Sequence, residues 1–154
     1  PDDVIENPVK HTDYKRLAEP FEDLRKAFKQ FPLKAAILPY GVLKEYKPRL
    51  DYVNGFLNAI GITPVLAEAN LKPFDLQQWI ENDNIQYAVF VGNDDQTAGL
   101  VPALLNEKLS VPLDVAGKFE EYEDWLEAGL SGSLLIKGKE LLALAQKEGS
   151  HDNA

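Results

Sequence analysis

The chain contains no cysteine, no methionine and two histidines in 154 residues, and each shortage removes a class of chemistry. Without thiols there is no disulfide framework, no zinc-thiolate or iron–sulfur site and no cysteine nucleophile, which fits a reducing compartment. His11 and His151 lie in the polar terminal segments, outside every expected strand-end loop. A core imidazole base, a histidine metal ligand and a catalytic triad are therefore ruled out. No apolar run approaches the roughly 18 residues of a membrane span, and the opening PDDVIENPVKH lacks a basic-then-apolar signal pattern.

Basic residues are the minority, 16 against 25 acidic, for a net charge of -9. That field repels phosphate backbones and anionic lipid, so neither a nucleic acid nor a membrane is an expected partner. With 45% hydrophobic and 27% charged side chains the composition is that of one globular domain, and a chain of about 150 residues buries about 70% of its unfolded surface without metal or disulfide support. The start at Pro1 with no methionine anywhere in the chain suggests a domain excised from a longer protein.

No repeat or low-complexity tract divides the chain. Residues 1–12 read as a linker, 13–148 as the domain and 149–154 as a tail. Tyr14, Leu17, Phe21, Leu24, Phe28 and Phe31 recur every three or four residues, an amphipathic helix whose main part is expected to start with Pro20 as its first residue and to stop before Pro32. Alternating units follow. KAAILP (34–39), ITPVLA (62–67), YAVFVG (87–92), VPLDVAG (111–117) and SGSLLIKG (131–138) read as strands. Helices are expected from Pro48 to Gly61, over 73–82, from about Thr97 to Lys108 with Pro102 at a kink or start, over 118–129 and over 139–147.

Strands alternating with helices predict an α/β, doubly wound, flavodoxin-like five-stranded parallel sheet of order 2-1-3-4-5, with an extra N-terminal helix. Pro64 places the second strand at an edge, because it removes a ladder donor. Ligands of such sheets bind at the strand carboxyl ends near the topological switch. The loop after the first strand, Tyr40 to Lys47, has neither GxGxxG nor GxxxxGK[ST], which removes nucleotide binding. The loop after the third, Gly92 to Thr97, holds Asp94 and Asp95. Two carboxylates there suit magnesium or acid–base work, but capping of the next helix by Asp94 or Asp95 is the favoured reading. Lys44, Lys47 and Arg49 beside Tyr46 form a small basic cluster, read first as a solvated face. Trp79 and Trp125 fall on apolar helical stripes and read as core. A receiver domain shares this fold, and Asp94 with Lys137 imitates its phosphoacceptor and lysine. Leu38-Pro39-Tyr40 and Ala116-Gly117, however, replace its acidic pair and its Ser or Thr.

From about Tyr14 to Leu144 the chain resembles the cobalamin-binding-like domain of the small, non-catalytic subunit of methylmalonyl-CoA mutase. PFEDLRKAF, KAAILPYGVLKEY, GFLNAIGI, AVFVGNDDQTAGLVPAL, VPLDVAG and WLEAGLSGSLLIKG carry the likeness, in order and spacing. Cobalamin-binding members have DxHxxG after the first strand, S-x-L after the third and paired glycines after the fourth. Those positions fall here on Lys44, Tyr46 and Arg49, on Asp94-Asp95-Gln96, and on Ala116-Gly117. A phenol beside a lysine supplies neither the neutral nitrogen nor the orienting carboxylate that cobalt ligation requires.

The resemblance thus implies a cytoplasmic mutase complex that interconverts methylmalonyl-CoA and succinyl-CoA and uses cobalamin elsewhere. This domain is expected to bind neither cofactor nor metal, to have no catalytic residue of its own, and to serve structurally toward the large catalytic subunit and an upstream domain of its own chain. The alternatives are a divergent domain that still binds cobalamin without histidine ligation and a signalling module phosphorylated at Asp94.

Overall fold

The computed structural model describes residues 8–117 and 134–152, with side chains for 19–117 and 134–149. The described elements are α1 (Pro8–Gln30), β1 (Ala35–Pro39), α2 (Leu43–Ala59), β2 (Val65–Leu66), α3 (Pro73–Asn82), β3 (Tyr87–Val91), α4 (Asp94–Asn106), β4 (Leu113–Val115) and α5 (Leu134–Asp152). β1 and β3 are buried along their whole lengths, which is why AAILP and YAVFV are continuous apolar runs without polar alternation. All strand pairs are parallel, in the order β2-β1-β3-β4.

Alternate residues of β1, continued by Tyr40 just after it, feed two separate cores. Ala35 and Ile37 join Leu24, Phe28, Val53, Leu57 and Leu141 on the face covered by α1, α2 and α5, whereas Ala36, Leu38 and Tyr40 join Leu76, Ile80, Val101 and Leu104 under α3 and α4. The sheet is therefore covered on both faces, as the doubly wound expectation requires. Each fully buried aliphatic side chain contributes about 1.5–3 kcal/mol. The helix after β1 lies on one face and the helix after β3 on the other, which opens a crevice between their first turns at the strand carboxyl ends.

Several expectations are corrected. The described sheet has four strands, not five. Residues 131–133 of the expected fifth strand, Trp125 and the helix expected over 118–129 lie outside the described residues, while Leu134 to Gly138 form the first turn of α5. Helical periodicity wins there because Leu134, Gly138, Leu141 and Ala145 share a stripe facing α1 and α2. Gly138 permits the approach, since a Cβ at that position would lie 2.7 Å from Leu24 Cδ1.

Pro20, Pro48 and Pro102 do not act as helix starts. α1 runs through Pro20, α2 begins at Leu43 and runs through Pro48, and α4 begins at Asp94 and runs through Pro102. Each proline removes one rung, and the helices bury Leu24 and Phe28 beyond Pro20, Val53, Phe56 and Leu57 beyond Pro48, and Leu104 beyond Pro102. β2 is shorter than expected because the Ile62 amide donates to Leu57 O at 2.8 Å and closes α2. β2 does occupy the sheet edge. β4 likewise shrinks to Leu113–Val115. α1 starts within the segment read as a linker, and α5 continues into the expected tail.

Candidate functional site

The crevice is built by the first turns of α2 and α4. Gly41, with φ +100°, turns the chain out of β1, and a Cβ there would lie 2.7 Å from Glu45 Oε1. Its amide donates to Asn70 Oδ1 at 2.7 Å, and Asn70 Nδ2 donates back to Gly41 O at 3.0 Å, tying the loops after β1 and β2 together. Beneath them Tyr40 stacks on Phe90 with ring centroids 4.8 Å apart and donates to Leu71 O at 2.5 Å. Burial pushes the Tyr40 phenol up to about 12.

Asn93, not Asp94 or Asp95, caps α4: its Oδ1 accepts from the Gln96 amide at 2.7 Å. Asp94 and Asp95 occupy the first turn beyond the cap, where their charge favours the helix dipole. Glu45 spans the crevice, accepting from the Val42 amide at 2.8 Å and from Asn93 Nδ2 at 3.0 Å. Arg49 spans it a second time. Its Nη1 donates to Gly92 O at 2.6 Å, and its Nη2 pairs with Asp94 Oδ1. These contacts frame an open cavity of about 540 Å³ lined by Glu45, Pro48, Arg49, Asn93, Asp94 and Asp95.

Of the residues singled out in the sequence, Arg49, Asp94 and Asp95 meet at this cavity. Lys44 is exposed in the first turn of α2, and Lys47 pairs with Asp51 at 2.8 Å, as a solvated face requires. Tyr46 is half-buried against the core formed with α1 and α5. Gln96 serves through its backbone amide in the cap. Ala116 is buried, its amide bonded to Phe90 O at 3.0 Å, and Gly117 follows with φ +130°. Trp79 packs against the α3/α4 core, as its stripe implies. Lys137 is bound to Asp114 and Glu140 while Asp94 is held by Arg49, so the receiver imitation lacks its geometry.

Glu45, Asn70 and Asn93 were not legible as site residues. The Asn before a helix is a cap signal, but Glu45 makes only the return half of a capping box, accepting from the Val42 amide, and Val42 has no oxygen to advertise the motif. Among the described residues no three carboxylate or histidine side chains form a metal-holding group, and no helix is long and apolar enough to cross a membrane.

No protein-family model and no curated protein matches this chain.

Proposed function

We propose that this chain is a non-catalytic, cobalamin-binding-like domain of the small subunit of a methylmalonyl-CoA mutase, cytoplasmic and structural toward the large catalytic subunit and its own upstream domain. The sheet order β2-β1-β3-β4 matches the first four strands of a flavodoxin-like sheet, and the crevice lies where such sheets take ligands. The observation that carries the reading is Arg49. Its guanidinium crosses from α2 to Gly92 and Asp94 and stands where the motif's glycine would leave the loop open.

The residues present do not fit cobalamin. Tyr46, at the ligating position, packs toward the α1/α5 core, and the Asp94 and Asp95 carboxylates line the cavity that would need a small, neutral slot.

Visible spectra recorded during cobalamin titration test the reading. The wild-type chain and Tyr46→His should give no change. Tyr46→His alone lacks an orienting carboxylate, a loss worth about 10 to 100-fold; Tyr46→His with Lys44→Asp restores it and should still bind weakly at most, since Arg49, Asp94 and Asp95 remain on the crevice. A base-off, histidine-ligated spectrum from Tyr46→His alone would overturn the account of the blocked crevice. Binding by the wild type would favour a cofactor-carrying domain without histidine ligation.

A further inference from the structure

The first turn of α2 is poorly supported by its own sequence. Its N-cap is Val42, which has no side-chain acceptor, and the lack of a capping oxygen costs a helix about 1 kcal/mol. Lys44 and Lys47 stand at the positive end of the helix dipole. The Tyr46 amide reaches Val42 O at a long 3.3 Å. Pro48 has no N–H, so the Lys44 carbonyl lacks an α-helical donor and the ladder is interrupted one turn in.

Support comes from Glu45 within the turn, from Tyr46 half-buried against the α1/α5 core, and from the start of α4 across the crevice. Glu45 takes the Val42 amide and the Asn93 side chain together, and Arg49 grips Gly92 O and Asp94 from just beyond the proline. Both braces end within three residues of each other at the start of α4, and both line the same cavity.

We propose that Leu43 to Lys47 is a braced gate over the switch-point crevice, kept wound by Glu45 and Arg49 and able to unwind as a unit while α2 beyond Val53 stays packed. Val53, Phe56 and Leu57 are buried in the core and anchor the remainder of the helix. The gate rests on this geometry and not on the cofactor history of the crevice, so its test is separate from any cobalamin titration.

The test is hydrogen exchange, with trypsin nicking after Lys44, on the full chain as wild type, Arg49→Ala, Arg49→Lys and Asp94→Asn. Arg49→Ala should speed exchange at Tyr46 and Lys47 and cleavage after Lys44 by roughly tenfold, the scale of one charge-assisted hydrogen bond, with the amides of α3 and of Val53 to Leu57 unchanged. Arg49→Lys, which cannot reach both acceptors at once, should fall between. Asp94→Asn removes the ion pair without altering the sequence of α2 and should move the same amides in the same direction, which keeps the test open if Arg49→Ala does not fold. Wild-type rates over 43–47 in Asp94→Asn and the Arg49 variants would overturn the gate. Acceleration spread evenly over α2, α3 and β3 would overturn it equally, because it would make the brace a contributor to global stability alone.

Discussion

Lys137 Nζ lies 3.0 Å from Asp114 Oδ2, the same carboxylate oxygen that accepts the Tyr87 hydroxyl at 2.6 Å. Asp114 is 6% exposed and the Lys137 side chain 12%, so a shared anion links β3, β4 and the first turn of α5 in near-dry surroundings. Glu140, 3.1 Å from the same ammonium, completes the cluster. Burial pushes the Asp114 carboxyl up despite its two partners, and burial with the nearby Asp114 charge pushes the Tyr87 phenol well above its ordinary value. For Lys137, burial alone works downward, but Asp114 and Glu140 outweigh it and the net shift is upward.

Breaking this cluster from one side should be costly. Lys137→Met leaves a buried carboxylate with the Tyr87 hydroxyl, a loss expected at about 3 kcal/mol in urea denaturation. Lys137→Met combined with Asp114→Asn should recover part of it, because no uncompensated charge remains. Equal stability of the two variants would contradict the pairing.

The alkaline limb follows from the same shifts. Tyr87, Tyr40 and Lys137 all have raised values in the fold. Their contribution is therefore complete below the ordinary values of 10.0 and 10.5 and is lost as pH rises through the folded ones. Denaturation midpoints should fall from about pH 10 upward, and Tyr87→Phe should make that fall shallower. Parallel curves for the two proteins would exclude Tyr87 as a source. The raised value of Asp114 has its own sign: its contribution is complete below 3.8 and lost on the way up. Asp114 therefore does not drive acid unfolding.

Two helical glycines should respond in opposite senses to alanine. At Gly55 in α2 an added Cβ meets nothing within 4 Å, so Gly55→Ala should stabilise by about 0.5–1 kcal/mol through helix propensity. At Gly138 the Cβ would meet Leu24 Cδ1, with Ile60 Cγ2 3.7 Å away, and overpacking should destabilise by about 1–3 kcal/mol. Leu24→Ala added to Gly138→Ala should cost less than the two changes summed.

Asn93 holds a cap and one end of a brace at once. Asn93→Ala should cost about 1–2 kcal/mol for the cap, and Asn93→Asp should keep the cap while setting a second carboxylate against Glu45. Thermal melts that rank Asn93→Asp as equal to wild type would show that the Glu45 contact has no energetic weight.

The doubly wound class, the parallel pairing and β2 at the edge were legible in the sequence, because continuous apolar runs such as AAILP and YAVFV bury on both faces; β2 holds the edge as Pro64 suggested, although Pro64 itself lies just before the paired residues Val65–Leu66. The one helix read with correct bounds, Pro73–Asn82, has its proline at the first position, where a missing N–H removes no rung. Pro20 and Pro48 misled for the converse reason: local chemistry disfavours them within a helix, but burial of Leu24 and Phe28 beyond the first and of Val53, Phe56 and Leu57 beyond the second outweighs one lost hydrogen bond, while α4 runs through Pro102, one of the two readings its position allowed.

Tertiary structure alone decided the rest. LLIKG has the composition of a strand, but it opens α5, where Leu134, Leu141 and Ala145 pack on the core and Gly138 lies against Leu24. Arg49 and Asp94 are 45 residues apart, and Tyr87, Asp114 and Lys137 come from three elements. No local pattern encodes such pairs, since they exist only once the parallel register of β1, β3 and β4 has set the helix ends against one another.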